Sequence, residues 1–204
     1  SDPDSLMFAD ITPMENSGYA IIYDEYGIGL SGLSIGTDEQ WVGVHFTPNT
    51  GGFVTEIDFG LVSEQMWNTD ELNWEVRLYD SFDGVSPGNM IDAVSGSSYV
   101  GGWHTVQVDS MEILPNQDFF IGVKFEDNGY VIGYDNIGDF SGRSYYSSND
   151  NSFSGMPSNY GDCNIRAKIS TETFVRIKPN NYMPTQITLH PNYPNPFNPT
   201  TQIS

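Results

Sequence analysis

The feature that most constrains this chain is a two-residue alternation of apolar and polar side chains, recurring from about residue 18 to residue 170. Successive side chains of an extended strand point to opposite faces, so this period marks half-buried strands. Phe53, Thr55, Ile57, Phe59 and Leu61 share one face, with Glu56 and Asp58 on the other. Leu72, Trp74, Val76 and Leu78 repeat the pattern, as do His104, Val106 and Val108. So do Phe119, Ile121, Val123 and Phe125, then Cys163, Ile165, Ala167 and Ile169. Further strands are expected at 19–23, 41–46, 90–94, 130–134, 144–147 and 173–178. No segment sustains a 3.6-residue period.

Turn signals separate the strands: Thr47-Pro48-Asn49, Asp83-Gly84, Ser86-Pro87-Gly88, Gly101-Gly102, Asn128-Gly129 and Ser141-Gly142. Many short strands at this spacing predict an all-β chain, an antiparallel jelly-roll-like β-sandwich of about eight to ten strands. An immunoglobulin-like sandwich ranks second, because its usual length is about 100 residues. Residues 148–162 form a polar insertion, read as a long loop. The expected organisation is an N-terminal lead-in over 1–17 and the sandwich over 18–178. A linker over 179–186 and a distinct segment over 187–204 follow, with the texture changing at Pro179.

Charge narrows the function classes. The chain of 204 residues has seven basic side chains against 27 acidic ones, a net charge of −20. Such a polyanion repels phosphate backbones and anionic lipid, so neither nucleic acid nor a membrane surface is an expected partner. Acidity of this kind suits solubility in an extracellular setting, or binding of a divalent cation. Calcium is the one cofactor considered. Its candidate ligands are Asp80 and Asp83 in one oxygen-rich turn, and Asp135, Asn136 and Asp139 in another, neither with EF-hand spacing.

Cys163, the single cysteine, permits no intramolecular disulfide and no thiolate zinc cluster; a buried bystander is expected. No run of about 18 apolar residues is present, so no transmembrane segment is expected. The opening SDPDSLMF has no basic n-region and no apolar h-region. For an exported protein the expectation is therefore a signal peptide already removed, or a longer parent chain.

Three site chemistries can be weighed. Glu56-Ile57-Asp58-Phe59 is similar to the E-I-D-F strands of laminarinase-like glycoside hydrolases, whose two carboxylates stand four or five residues apart on one strand. Here Gly60 and Leu61 occupy those positions, so the retaining pair is absent and no catalytic residue is assigned. His45, His104 and His190 are scattered and none pairs with another at metal-ligand spacing. Sugar binding needs an exposed ring. Trp67 is the tryptophan least tied to an apolar alternation and is the candidate contact, whereas Trp74 reads as core.

The most specific signal lies at 187–204, ITLHPNYPNPFNPTTQIS. Its prolines hold the chain extended, and Tyr193 and Phe197 can anchor such a segment by burying rings. Leu189, Asn192, Tyr193, Pro194, Asn195, Pro196, Phe197, Asn198, Pro199, Thr200, Thr201 and then Ile203 resemble the opening of the type A C-terminal sorting domain of type IX secretion cargo. Pro191 departs from the family, which more often has Gln there. That domain is a small β-sandwich with several more strands, so the expectation is an incomplete copy, from a fragment or a trimmed product. The resemblance implies type IX-like secretion machinery as a partner, export across the outer membrane, and release or surface attachment. Residues 40–170 are more loosely similar to jelly-roll modules that precede such sorting domains, often beside a separate enzyme or adhesin. The expected function is thus a non-catalytic accessory or adhesion module of an exported protein. A carbohydrate-binding module comes second and a β-sandwich glycoside hydrolase last, with any enzyme domain expected upstream.

Overall fold

The computed structural model describes residues 10–14, 18–24, 31–137 and 139–172. The linker, the C-terminal segment with all of its sorting-motif residues and the strand expected at 173–178 lie outside them. The strands are β1 (Asp10–Met14), β2 (Gly18–Ile22), β3 (Gly32–Leu33), β4 (Gln40–Phe46), β5 (Gly52–Leu61), β6 (Leu72–Tyr79) and β7 (Met90–Ser98). They continue with β8 (Gly102–Ile113), β9 (Phe119–Phe125), β10 (Ile132–Asp135), β11 (Ser144–Ser147), β12 (Ser154–Gly155), β13 (Asp162–Cys163) and β14 (Ile165–Ser170). A single 3₁₀ turn, Glu64–Met66, is the helical content among the described residues.

The pairing is nested and antiparallel. β6 pairs β7, β5 pairs β8, β4 pairs β9, and β2 pairs β14. The chain is therefore one long double strand whose closed end is the β6–β7 hairpin. Folding that ribbon over itself drops alternate rungs into opposite sheets. Pairing of β14 with β5, and of β6 with β9, then closes the sheets β2-β14-β5-β8 and β4-β9-β6-β7. This is a jelly-roll β-sandwich. Around the eight strands, β1 extends the first sheet beyond β2, and β3 and β13 gather on β10. β11 and β12 extend the second sheet beyond β4. The sheet thus begins at Asp10, inside what the sequence suggests is a lead-in.

The alternation decides what is buried, except in β5, where an irregularity between Val54 and Glu56 puts Val54 into the core in place of the expected Phe53 and Thr55. Val54, Ile57, Phe59 and Leu61 of β5 and Ile165, Ala167 and Ile169 of β14 meet Val42, Val44, Phe46, Val76, Leu78 and Val123 from the facing sheet. Phe46 stacks on Phe119 with centroids 5.1 Å apart, and Phe59 meets the edge of Trp74 at 5.1 Å. Each fully buried Phe stabilises the fold by roughly 3–5 kcal/mol relative to Ala.

The second sheet is covered on its outer side too. Trp41, Tyr79, Phe82, Phe120 and Phe153 form a separate buried cluster there, with Tyr145 packed against it. Phe82 stacks on Phe120 at 4.2 Å, and Phe153 meets Phe120 edge-on at 5.0 Å. Gly43 is required beneath them, because the Phe120 ring lies where a β-carbon at 43 would stand. The polar insertion at 148–162 is accordingly no free loop. Phe153 pins it to the sheet, Arg77 donates to Asp150 at 2.7 Å, and Met156 is buried against Cys163.

Candidate binding site

One end of the sandwich, where β4 begins and β5 ends, is built from three loops held rigidly together. The Gln40 side chain, 1% exposed, does most of this. Its amide donates to the carbonyls of Asp127 and Gly129, and its own oxygen accepts from the Ile35 N–H at 2.5 Å. The buried Asp127 carboxylate accepts from the backbone N–H groups of Asn68 and Gly129. Ser34 Oγ donates to the Asn128 carbonyl at 2.8 Å, and the Asn128 amide donates to Asp38 at 3.0 Å. The buried polar groups of Gln40 and Asp127 thus have partners in the neighbouring loops, which fixes those loops before any ligand arrives.

Against this platform lies a cleft of about 250 Å³ lined by Leu33, Ser34, Ile35, Tyr146, Met156, Pro157 and Tyr160. Leu33 and Ile35 form the wall that Gln40 and Asn128 hold. Tyr146 comes from β11, and the opposite wall is the turn that Tyr160 N–H closes on the Pro157 carbonyl at 2.9 Å. Tyr160 also leans edge-on against Tyr134, with centroids 5.8 Å apart. Neither the Tyr146 nor the Tyr160 hydroxyl is hydrogen-bonded by a described residue. The cleft therefore presents ring faces for apolar contact and, for polar contact, hydroxyls that no described residue engages.

A second surface is the outer face of the first sheet. The register places Arg166, Asp58 and Thr105 in one row and Lys168, Glu56 and Gln107 in the next. Trp103, 39% exposed, stands opposite Gly60, and the Arg166 guanidinium lies 4.0 Å from its ring centroid. Arg166 is held in turn by Asp24, whose side chain is fully buried, through bonds of 3.0 and 2.7 Å. Burial pushes the Asp24 carboxyl up, against the pull of the Arg166 guanidinium. Glu56 and Asp58 do share this face, but both are held by Lys168, at 3.1 and 3.0 Å. They serve the sheet as an ion-pair network.

The candidate residues read from the sequence fare differently. Trp67 is corrected: it is 7% exposed and belongs to the main core, so its ring cannot meet a sugar. Trp103 is the exposed indole. Asp80 accepts from Ser81, from the Asn89 N–H and from the Asn89 amide, and these bonds hold its carboxyl below the usual range. Asp83 accepts from the Val85 and Ser86 N–H groups. Both carboxylates close the turn they sit in. Asp135 is buried and accepts from the Ile137 N–H at 2.8 Å, while Asn136 and Asp139 are exposed nearby. Among the described residues no three His, Cys, Asp or Glu side chains converge as metal ligands. Cys163 is buried, and burial pushes its thiol up to about 12, which keeps it protonated and unreactive. His104 packs on Phe59 at 5.4 Å and His45 lies 3.3 Å from Asp118, as residues of the sheets.

No family model matches the chain, and no curated protein matches it. A solved structure of the clostridial cysteine protease Cwp84 after propeptide cleavage is similar over 79% of this chain and 42% of its own, at 17% identity and a TM-score of 0.57. A structure of the cysteine protease and lectin-like domains of Cwp84, a surface layer associated protein of Clostridium difficile, aligns with 66% of this chain and 33% of its own, at 15% identity and a TM-score of 0.48. The chain spans less than half the length of either. At such identities the likeness is one of fold.

Proposed function

We propose that this chain is a non-catalytic binding module of an exported protein, with carbohydrate as its ligand class. The observation that carries this is the preformed cleft faced by Tyr146 and Tyr160, at a loop-built end of a rigid sandwich. Aromatic faces with nearby hydroxyls suit the mixed C–H and O–H surface of a sugar ring. The carboxylates a glycosidase would need at Glu56 and Asp58 are tied to Lys168, which favours binding over hydrolysis. The fold is shared with part of Cwp84, a protein described as having cysteine protease and lectin-like domains, and a lectin-like domain is in keeping with a sugar ligand. An array of immobilised glycans probed with the chain is the test. Retention on a subset of glycans, lost on Tyr160→Ala, is expected. No retention on any glycan, or turnover of a bound polysaccharide, would overturn the reading.

The export route is part of the same proposal and is supported by the Asn192-to-Thr201 motif. Type IX-like machinery would recognise the C-terminal segment and deliver the module to the cell surface or medium. Removing everything from residue 187 onward from the whole protein, in a host with that machinery, is expected to retain the protein inside the cell. Undiminished export of the truncated protein would refute the assignment.

A further inference from the structure

We infer that the Tyr146–Tyr160 cleft takes one uncharged sugar ring at the end of a glycan and discriminates against uronates. This rests on the sugar-binding reading above and narrows it. Size comes first. At about 250 Å³ the cleft is smaller than the roughly 300–1,000 Å³ typical of drug-sized ligands, so it encloses about one ring and leaves further units of a glycan outside it. Its walls do not yield readily to enlarge it. The Leu33–Ile35 side is tied down by Gln40 and Asn128, and the opposite side by Met156, buried against Cys163, and by Tyr160 against Tyr134.

Charge comes second. Among the described residues, none of the side chains lining the cleft is a cation. A carboxylate entering would lose hydration and meet no Arg or Lys in return, a cost that an uncharged hydroxymethyl group does not incur. The molecule's net charge of −20 adds a long-range repulsion, and Asp38 stands exposed on the loop that forms one wall. A neutral ring can place its C–H face on a tyrosine and its hydroxyls against Tyr146, Tyr160 and Ser34.

The test is ligand titration of the whole chain, followed by calorimetry or by saturation-transfer NMR. The probes are methyl hexosides paired with their uronic acid counterparts, and neutral oligosaccharides of one to four units. The neutral member of at least one pair is expected to bind at least about tenfold tighter than its uronate, a difference of roughly 1.4 kcal/mol. Lengthening the neutral glycan should change its affinity by less than about threefold, the mark of end recognition. Tyr160→Ala should abolish binding, and Tyr160→Phe, which keeps the ring against Tyr134, should weaken binding without loss of melting temperature. Equal or tighter uronate binding, or affinity that climbs steeply with length, would overturn the inference while leaving sugar binding intact. Sugar binding indifferent to Tyr160→Ala would also overturn it and direct attention to Trp103. Cleft resonances shifted by a proline-rich peptide, but by none of the neutral sugars, would overturn it in favour of extended-peptide recognition. Failure of every sugar, neutral or charged and of any length, would instead sink the broader reading.

Discussion

Gly161 shows how much one missing methyl group can decide. It sits at φ 77°, and a β-carbon there would overlap the Asp135 carbonyl oxygen. Gly142 has a similar φ of 73° but open space around it. Gly142→Ala should therefore cost only the left-handed backbone penalty of about 1–2 kcal/mol. Gly161→Ala must also displace β10, so thermal melting should show at least twice that loss, together with loss of ligand at the neighbouring Tyr160. Equal melting of the two variants would show that the turn relaxes freely. Asp162, like Asp24, carries a pH signature. It is 3% exposed, and burial pushes its carboxyl up, although Ser141 and Ser144 donate to it. A carboxyl whose folded value is raised binds protons more readily folded than unfolded, so its contribution to stability falls as pH rises through that window. Lowering the pH from neutrality toward the ordinary carboxylate value of about 4 should raise the melting temperature, and Asp162→Asn should flatten that rise. An unchanged slope in the variant would show that Asp162 is not its source and leave Asp24 or general charge repulsion responsible.

At the scale of elements, the aromatic cluster outside the second sheet makes its own prediction. Phe153 is 2% exposed and attaches the 148–162 insertion to Phe120 of β9 and to Phe82. Phe153→Ala should cost about 3 kcal/mol or more and open the insertion to protease before the sandwich unfolds. Simultaneous cleavage and global unfolding would show that the insertion is one cooperative unit with the core. This cluster also marks where the sequence ceases to be legible. Strands such as β6, β8 and β14 were readable because each buries mainly one face, and a period of two records that directly. Phe153 and Met156 sit alone among Ser, Asn and Gly, so no period announces them, and what covers them is supplied by residues far away in the chain. The cleft shares that difficulty. Gln40 and Asp127 hold it through contacts 87 residues apart, and the two-residue strands β3, β12 and β13 are too short to show alternation. Trp103 was within reach. It is in phase with Thr105 and Gln107, the polar side of β8, which predicts an outward ring. Trp67 misleads for the opposite reason: its polar neighbours suggest a surface loop, but that loop folds across the end of the sandwich and its Asn68 N–H is held by Asp127.

For the whole molecule, charge is distributed unevenly along the chain. All 27 acidic residues fall at or before Glu172, while Arg176 and Lys178 lie beyond it. The sandwich over residues 18–178 holds most of this negative charge and works against its own repulsion. Two remedies differ in kind. A bound calcium ion would stabilise by mass action, by about 2.7 kcal/mol at a hundredfold excess over its dissociation constant. Salt would stabilise by screening, with no preference among cations of equal ionic strength. Asp80 and Asp83, the first ligands the sequence suggests, already accept hydrogen bonds from their own turn, and a cation would have to displace those donors. Screening is therefore expected to dominate. Melting in chelator, in millimolar calcium and in sodium chloride of matched ionic strength should give a lower midpoint in chelator at low salt and equal, higher midpoints in the other two. A calcium-specific rise that disappears on Asp135→Asn would instead locate a site in the loop after β10, and one that disappears on Asp80→Asn would locate it in the turn after β6. Either result would make the acidity of this sandwich a ligand set as well as a source of solubility.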